Sequence, residues 1–400
     1  MDSLTSLTAR KRVLILMADY GYGHRSAADA VAKALRETHG QDCTVEVVNP
    51  LDDPRAPALL RTQQANYDRL TREMPDLHDL GYQVSDLPLA SNLIESAMTL
   101  LLFNVLRKIV RRHRPDVIVS TYLFYPAILS TILAVEKLRI PLVTVVTDLA
   151  SAHNLWFYPR ADLCLVPTQD VFESAVHAGL APERVVITGI PVDPDLARGR
   201  QDLAALRKQL GWRPDLFTVL AVGSKRVEHL YESVQALNHS NLPLQLAVVA
   251  GGDDDLFRQL TRTMWRKEAT LYNFVPDMAS LTRAADCVVG KAGGLTITES
   301  LACGLPLVLV DVIPGQETGN AEYVLGEGAA DRARDPGEVL DVMERWLADD
   351  MAVYQTRAAN ARRIGRPTAA HDVAEYVFQL SAQGARAVGR RKAPQPAPAG

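Results

Sequence analysis

The segment from Ala18 to Leu35, ADYGYGHRSAADAVAKAL, sets Gly21, Gly23 and His24 between an apolar run, Val13 to Met17, and a stretch of helical periodicity. Glycines at such a junction let backbone amides approach an anion. A histidine beside them offers a group that takes up a proton near neutral pH. A tight strand-to-helix turn with an incidental polar residue would explain the same few residues. The stretch VVGKAGGLTITESLACGLPLVLVDVIPGQETGN, residues 288–320, says more. Gly293 and Gly294 leave amides free at the start of a helix that begins near Thr296, which suits a diphosphate. Thr296 adds a hydroxyl donor, and Glu299, one turn on, accepts hydrogen bonds from ribose hydroxyls. After the next apolar run, Gln316, Glu317 and Asn320 supply donors and acceptors suited to a hydroxylated ring. Packing explains the glycines of one such loop, with Thr296 and Glu299 as helix-start residues. Two polar loops at successive strand ends argue for a ligand.

Such loops need strands to carry them. Apolar, β-branched runs recur at 12–18, 43–49, 116–120, 141–147, 163–166 and 185–188, with amphipathic stretches between them. The rhythm restarts at 217–223, 244–252, 269–275, 286–290 and 306–312. Continuous apolar runs fit strands buried on both faces, and their alternation with helices implies parallel sheets with crossover helices. The segment GIPVDPDLARGRQD, 189–202, is the seam. The expected architecture is α/β, two doubly wound Rossmann-like domains facing a shared cleft, with ligands outside the strand ends. The expected units are 1–198 and 199–383, followed by a basic, Pro/Ala-rich tail, 384–400, expected to be disordered.

Composition agrees. The chain has 400 residues, beyond the usual single-core limit, and is 48% hydrophobic. A net charge of −4 gives no reason to expect nucleic acid. The four cysteines show neither zinc spacing nor a disulfide framework, which fits a reducing cytoplasm. The N-terminus lacks the apolar core of a signal peptide. The most apolar helical segment, Asn92 to Leu106, carries Glu95 and is too short to span a bilayer.

GYGHRSAADAVAKAL (21–35), TDLASAHNLWFYPRADLCLVPT (147–168), KAGGLTITESLACGLPLVL (291–309) and PGQETGN (314–320) occur in an order and at distances that carry a resemblance. The chain resembles the monogalactosyldiacylglycerol synthase and processive diacylglycerol glucosyltransferase group, a MurG-related branch of the GT-B glycosyltransferases, over nearly its whole length. The resemblance implies a GT-B fold and an inverting transfer of glucose or galactose from UDP-glucose or UDP-galactose to the hydroxyl of diacylglycerol, without a cofactor or metal. It implies His24 as general base, with Gly21 and Gly23 passing close to the sugar diphosphate, and Asp148, His153 and Trp156 shaping the acceptor side. NFVPDM (273–278) resembles the family's uracil-side segment, where the backbone at Phe274 and Val275 would read the base. AVGSKRVEHL (221–230) departs from the pattern, with only Gly223 where relatives carry a glycine-rich loop; Lys225 beside it offers a cation for phosphate.

GGDDDL (251–256) invites a metal reading, but its place after a strand and before a helix favours carboxylates that cap the helix. Arg107, Lys108, Arg111, Arg112 and Arg114 crowd the end of an apolar helix. A solvated helix end explains them; a peripheral contact with an anionic lipid surface gains weight from a bilayer-bound acceptor. The expected location is cytoplasmic, on the inner face of a membrane. Two other functions compete. One is a MurG-like or natural-product transferase with a different acceptor, disfavoured by TDLASAHNLWFYP. The other is a catalytically silent nucleotide-sugar or lipid-binding protein, disfavoured by His24 and Glu299 together.

Overall fold

The computed structural model describes residues 10–19, 22–61, 88–200, 202–225, 227–313 and 317–383. Gly21, Gln316 and the tail 384–400 lie outside them. The two series of apolar runs form two six-stranded sheets. The first contains β1 (Lys11–Leu16), β2 (Cys43–Val48), β3 (Val117–Ser120), β4 (Leu142–Val145), β5 (Leu163–Val166) and β6 (Val185–Ile187), in the order β2-β1-β3-β4-β5-β6. The second contains β7 (Phe217–Val222), β8 (Leu244–Val249), β9 (Ala269–Tyr272), β10 (Cys287–Lys291), β11 (Leu307–Asp311) and β12 (Ala330–Arg332), in the order β12-β11-β10-β7-β8-β9. Every pairing is parallel, with Leu16 opposite Val48 and Ser120, and Val222 opposite Gly290. β3, β4, β5 and β8 are buried at every position, as unbroken apolar runs require.

Helices cover both faces of each sheet. Val13 and Ile15 pack toward the helix Tyr22–His39, while Leu14 and Leu16 pack toward the helices Pro88–His113 and Tyr125–Val135. In the second sheet, Val219 and Ala221 face the helices Leu230–His239 and Pro336–Leu347. The opposite face, with Leu220 and Val288, shares one cluster with Ala27 and Leu149 of the first half. Among the described residues no helix is long and apolar enough to cross a membrane. Strand order reverses at β1/β3 in one sheet and at β7/β10 in the other, so each has its crevice at the carboxyl ends of those strands.

The chain passes between the halves twice. The first passage, after Thr188, is anchored on the second sheet by Asp286, which accepts hydrogen bonds from Arg200 (2.6 Å), Arg207 (2.6 Å) and the Thr218 amide (2.7 Å). The second passage alters the expected unit 199–383. The helix Ala369–Gln383 returns to the first sheet, where Ala370, Val373, Ala374 and Val377 pack with Val13, Ile15 and Val31. His39 lies 3.0 Å from Glu375 and stacks on Phe378 at 3.9 Å. This apolar face in the last helix has the same period whichever sheet it covers, so the pattern alone does not assign it. The two passages touch: Gly189 has φ +89, and a β-carbon there would lie 2.5 Å from that of Arg366.

Arg207 is 4% exposed. Asp286→Ala leaves that guanidinium with backbone carbonyls but no countercharge, and breaking a buried pair from one side costs about 3–5 kcal/mol. The urea midpoint of the variant should fall accordingly, with its m-value unchanged.

Candidate functional site

The carboxyl ends of both sheets line one cleft of about 720 Å³, whose walls include His24, Thr147 and Asp148 from the first half and Gly223, Lys291, Gly293 and Glu299 from the second. The halves approach closely around it. A β-carbon on Gly294 would lie 3.9 Å from the Thr147 carbonyl oxygen, and one on Gly319 would lie 2.8 Å from Ser151 Oγ. Residue 319 must therefore be small for this approach.

His24 is the third residue of the helix that follows β1, and loops after β3 and β4 hold it from two sides. Its Nδ1 is 2.8 Å from Thr147 Oγ1, and Thr121 Oγ1 donates to its backbone carbonyl at 3.0 Å. The Tyr122 ring meets the imidazole edge-on at 5.3 Å, and Trp156 lies 5.9 Å away. Burial among these groups lowers its pKa to about 4, against an opposing hydrogen bond with the Thr121 backbone. The ring is therefore neutral at pH 7, the form that accepts a proton.

Asp148 follows Thr147 and faces the cleft. Burial raises its pKa to about 6, against hydrogen bonds from the Trp156 indole (2.7 Å) and the His153 backbone. Trp156 is fully buried and does not line the cleft, so it holds Asp148 rather than touching an acceptor. His153 is a correction to the expected acceptor side: it is 4% exposed, and its Nδ1 accepts from the Leu155 amide at 3.1 Å, capping the turn Asn154–Trp156. Capping and ligand contact draw on the same residue types, which is why sequence does not separate them.

Across the cleft, Gly293 caps the helix Gly294–Ala302 with no side-chain hydrogen bond at the cap, so the amides of its first turn face the cleft. Thr296 and Glu299 line the same wall. Glu299 makes no hydrogen bond among the described residues, and burial, with the nearby Asp193 charge, raises its pKa to about 7. Phe274, 60% exposed, and Val275 form the far rim, with Lys225 nearby.

The loop after β7 is compensated by a second one. Gly251 (φ +66) and Gly252 (φ +80) follow β8 and line the cleft beside Gly223, and a β-carbon on Gly251 would strike the Gly223 carbonyl at 2.1 Å. Sequence reading weighed only the aspartates after them. These start a helix: Asp253 accepts from the amides of Asp255 (3.0 Å) and Leu256 (3.1 Å), Asp255 pairs with Arg258, and Asp254 accepts from Asn273 at 2.8 Å. Among the described residues no group of three His, Cys, Asp or Glu could hold a metal ion.

Glu317 and Asn320 reach the cleft but are also tied to its frame. Asn320 Nδ2 donates to the Ala292 carbonyl at 3.2 Å, bracing the glycine turn. Glu317, 3% exposed, accepts from the Ile313 amide at 3.2 Å and pairs with Lys291. Sequence reading missed Lys291, the last residue of β10, which lines the cleft directly before the glycines. Lys33 also lines it and binds Asp193 and Asp195 of the first passage, each at 2.6 Å.

The basic helix end is partly neutralised. Arg107 and Arg111 both bind Glu136, at 2.5 Å and 2.7 Å, which lowers the pKa of that carboxyl. Lys108 and Arg112, and Arg114 just past the helix end, remain exposed, and the same helix exposes Leu100 (83%) and Leu101 (46%).

A family model described as monogalactosyldiacylglycerol (MGDG) synthase matches residues 24–192, and one described as glycosyltransferase family 28 C-terminal domain matches 218–335. A probable monogalactosyldiacylglycerol synthase 2, chloroplastic, of Oryza sativa subsp. japonica is 30% identical over 385 residues, 94% of this chain and 82% of the relative. The monogalactosyldiacylglycerol synthase, chloroplastic, of Spinacia oleracea is 31% identical, covering 92% of this chain and 73% of its own. Among solved structures, the calicheamicin glycosyltransferase CalG4 superposes with a TM-score of 0.61 at 15% identity, covering 97% of this chain and 100% of that one. MurG of Acinetobacter baumannii does so with a TM-score of 0.55 at 16% identity, covering 92% and 99%. These two establish the GT-B fold. The expected cytoplasmic location on an inner membrane face is corrected: these relatives are named as chloroplastic proteins, so relationship gives that placement no support.

A carboxyl with a folded pKa of about 7, above its ordinary value of 4.5, binds protons in the folded state that the unfolded chain has released. Glu299 therefore lowers stability as pH rises from 4.5 through 7. Glu299→Gln should raise the melting temperature relative to the parent at pH 8 and leave it little changed at pH 4, as scanning calorimetry at the two pH values would show.

Proposed function

The chain belongs to the monogalactosyldiacylglycerol synthase family and is a hexosyl-transferring glycosyltransferase, and we propose that it moves glucose or galactose from a UDP-sugar to the hydroxyl of diacylglycerol with inversion at the anomeric carbon. The observation that carries this reading is the placement of His24 opposite the glycine turn Gly293–Gly294, in one cleft built from both halves. The diphosphate lies against the amides of that turn and of the Gly223 and Gly251–Gly252 loops, the ribose hydroxyls bond Glu299, and the base packs at Phe274 and Val275. Glu317 and Asn320 face the sugar.

Catalysis then needs a proton removed and a charge received. The acceptor oxygen attacks the anomeric carbon as its proton passes to the neutral His24 imidazole, and the bond from that carbon to the phosphate oxygen breaks with its electron pair on UDP. A base of low pKa is a weak one, and the negative diphosphate entering the cleft raises its affinity for the proton. Asp148, adjacent in the chain to the residue that holds the ring, adds negative charge as pH passes 6. Helix amides and cations receive the charge on UDP without a metal. Lys108, Arg112 and Arg114, with Leu100 and Leu101, supply a peripheral contact for an anionic bilayer that holds the acceptor.

The test is transfer of labelled sugar from UDP-glucose or UDP-galactose to diacylglycerol in vesicles of increasing anionic lipid, with and without EDTA. Glycolipid should form in both conditions and increase with anionic lipid. His24→Ala should lower turnover about 10²–10⁴-fold, the size of an acid–base contribution, with UDP affinity little changed. Absence of glycolipid alongside intact UDP binding would overturn the acceptor, and near-normal turnover by the variant would remove His24 from the chemistry.

A further inference from the structure

Lys291 stands where the fold alone gives no reason for a lysine. It is the last residue of β10, at the point where the pairing with β11 slips register between Gly290 and Lys291. The side chain does not run into solvent. It turns beneath the glycine turn, so that a β-carbon on Gly293 would lie 2.7 Å from its ammonium nitrogen and 3.5 Å from a carboxylate oxygen of Glu317. Gly293 has an ordinary extended backbone, φ −70 and ψ 134, open to any residue. A side chain there would meet the end of the lysine chain first, so the ammonium lies directly against the turn.

The electrostatics are unusual for a merely structural pair. The ammonium sits at the positive end of the helix Gly294–Ala302, where the helix dipole opposes a cation and favours an anion. Glu317 compensates from the neighbouring loop, and its other oxygen is held by the Ile313 amide. Glu317 is thus committed to Lys291, while Lys291 is itself one of the residues that line the cleft. A hydrophobic residue at 291 would satisfy the packing without either charge.

Resting on the reading of the cleft as a UDP-sugar site, we propose that Lys291 is the residue that receives the leaving group, its ammonium hydrogen-bonded to the β-phosphate of UDP as the anomeric bond breaks. The ammonium stays protonated throughout. The electron pair of the broken bond rests on a phosphate oxygen, and Lys291 donates one of its hydrogens to the diphosphate. Glu317 is its positioning residue, pinning the ammonium under the glycine turn before the donor arrives. When the sugar occupies the loop at 317–320, its hydroxyls compete for the same carboxylate, and Lys291 is turned toward phosphate. Sugar recognition and leaving-group stabilisation are thereby linked through one carboxylate.

The experiment compares UDP with UMP, which differ by the β-phosphate and both lack the sugar. Lys291→Met alone leaves Glu317 buried without a countercharge, so the informative variant is the double change Lys291→Met with Glu317→Gln, checked for parental melting behaviour. By calorimetry, UDP should bind the double variant about 10- to 100-fold more weakly, the worth of a charged hydrogen bond, while UMP changes less than about 3-fold. In transfer assays, kcat should fall about 10²–10³-fold, as when a donor to developing charge is removed. Equal effects on UDP and UMP, or none on either, would overturn the assignment. A parent that binds UDP but forms no glycolipid refutes the proposed acceptor and leaves the comparison of UDP and UMP to decide on Lys291. A parent that binds neither nucleotide overturns both.

Discussion

A parallel sheet sends every strand's carboxyl end to one edge, and that constraint orders the rest of this molecule. Each crossover returns the chain to the far edge, so the loops after the strands gather on one side. In each sheet the strand order reverses beside the first strand, and the chain parts there to either side. Turning two such edges toward each other gives a cleft whose opposite walls come from different sheets. The helix start after β11 and the loop after β4 meet across it closely at Gly319 and Ser151, where a side chain on residue 319 would collide. Groups from the two halves therefore need only local support: His24 leans on Thr147, Asp148 on Trp156, and Glu317 on Lys291.

Much of this was legible in the sequence because it is local. The apolar runs show the strands, their alternation with helices shows the parallel sheets, and the glycines after β10 mark a turn that lines the cleft. What escaped depends on contacts between distant segments. Lys291 reads as the polar end of a strand until Glu317, in the next loop, turns its ammonium inward. Gly251 reads as part of an acidic helix start until Gly223, on the neighbouring strand, shows that the two loops share one surface. His153 and Trp156 read as acceptor-side residues from the family resemblance, yet a short helical turn carries both inward. Glu136 lies outside the basic run it half neutralises, on a separate helix end, so charge counting along the run overstates the patch.

The charges of the cleft follow a division of labour. On the first half burial works on the titrating groups, pulling His24 down to about 4 and Asp148 up to about 6, so near neutral pH the imidazole is uncharged beside a carboxylate. On the second half the positive character is fixed: backbone amides and a lysine whose charge is already balanced. The titrating groups of the first half and the fixed positive groups of the second thus stand on opposite walls of the cleft. Glu299 belongs to the second wall but behaves like the first, since its carboxyl has no hydrogen-bond partner there and its proton is held by burial and by Asp193.

The two passages of the chain between the halves, touching at Gly189 and Arg366, have a mechanical consequence. A single linker lets two bodies swivel and twist in any direction. Two attachments side by side remove most of that freedom and leave rotation about the line joining them, as two pins do for a door. Any rotation of one half against the other would then be confined to one arc. Registration across the cleft becomes a property of the backbone's path, set before any substrate is bound.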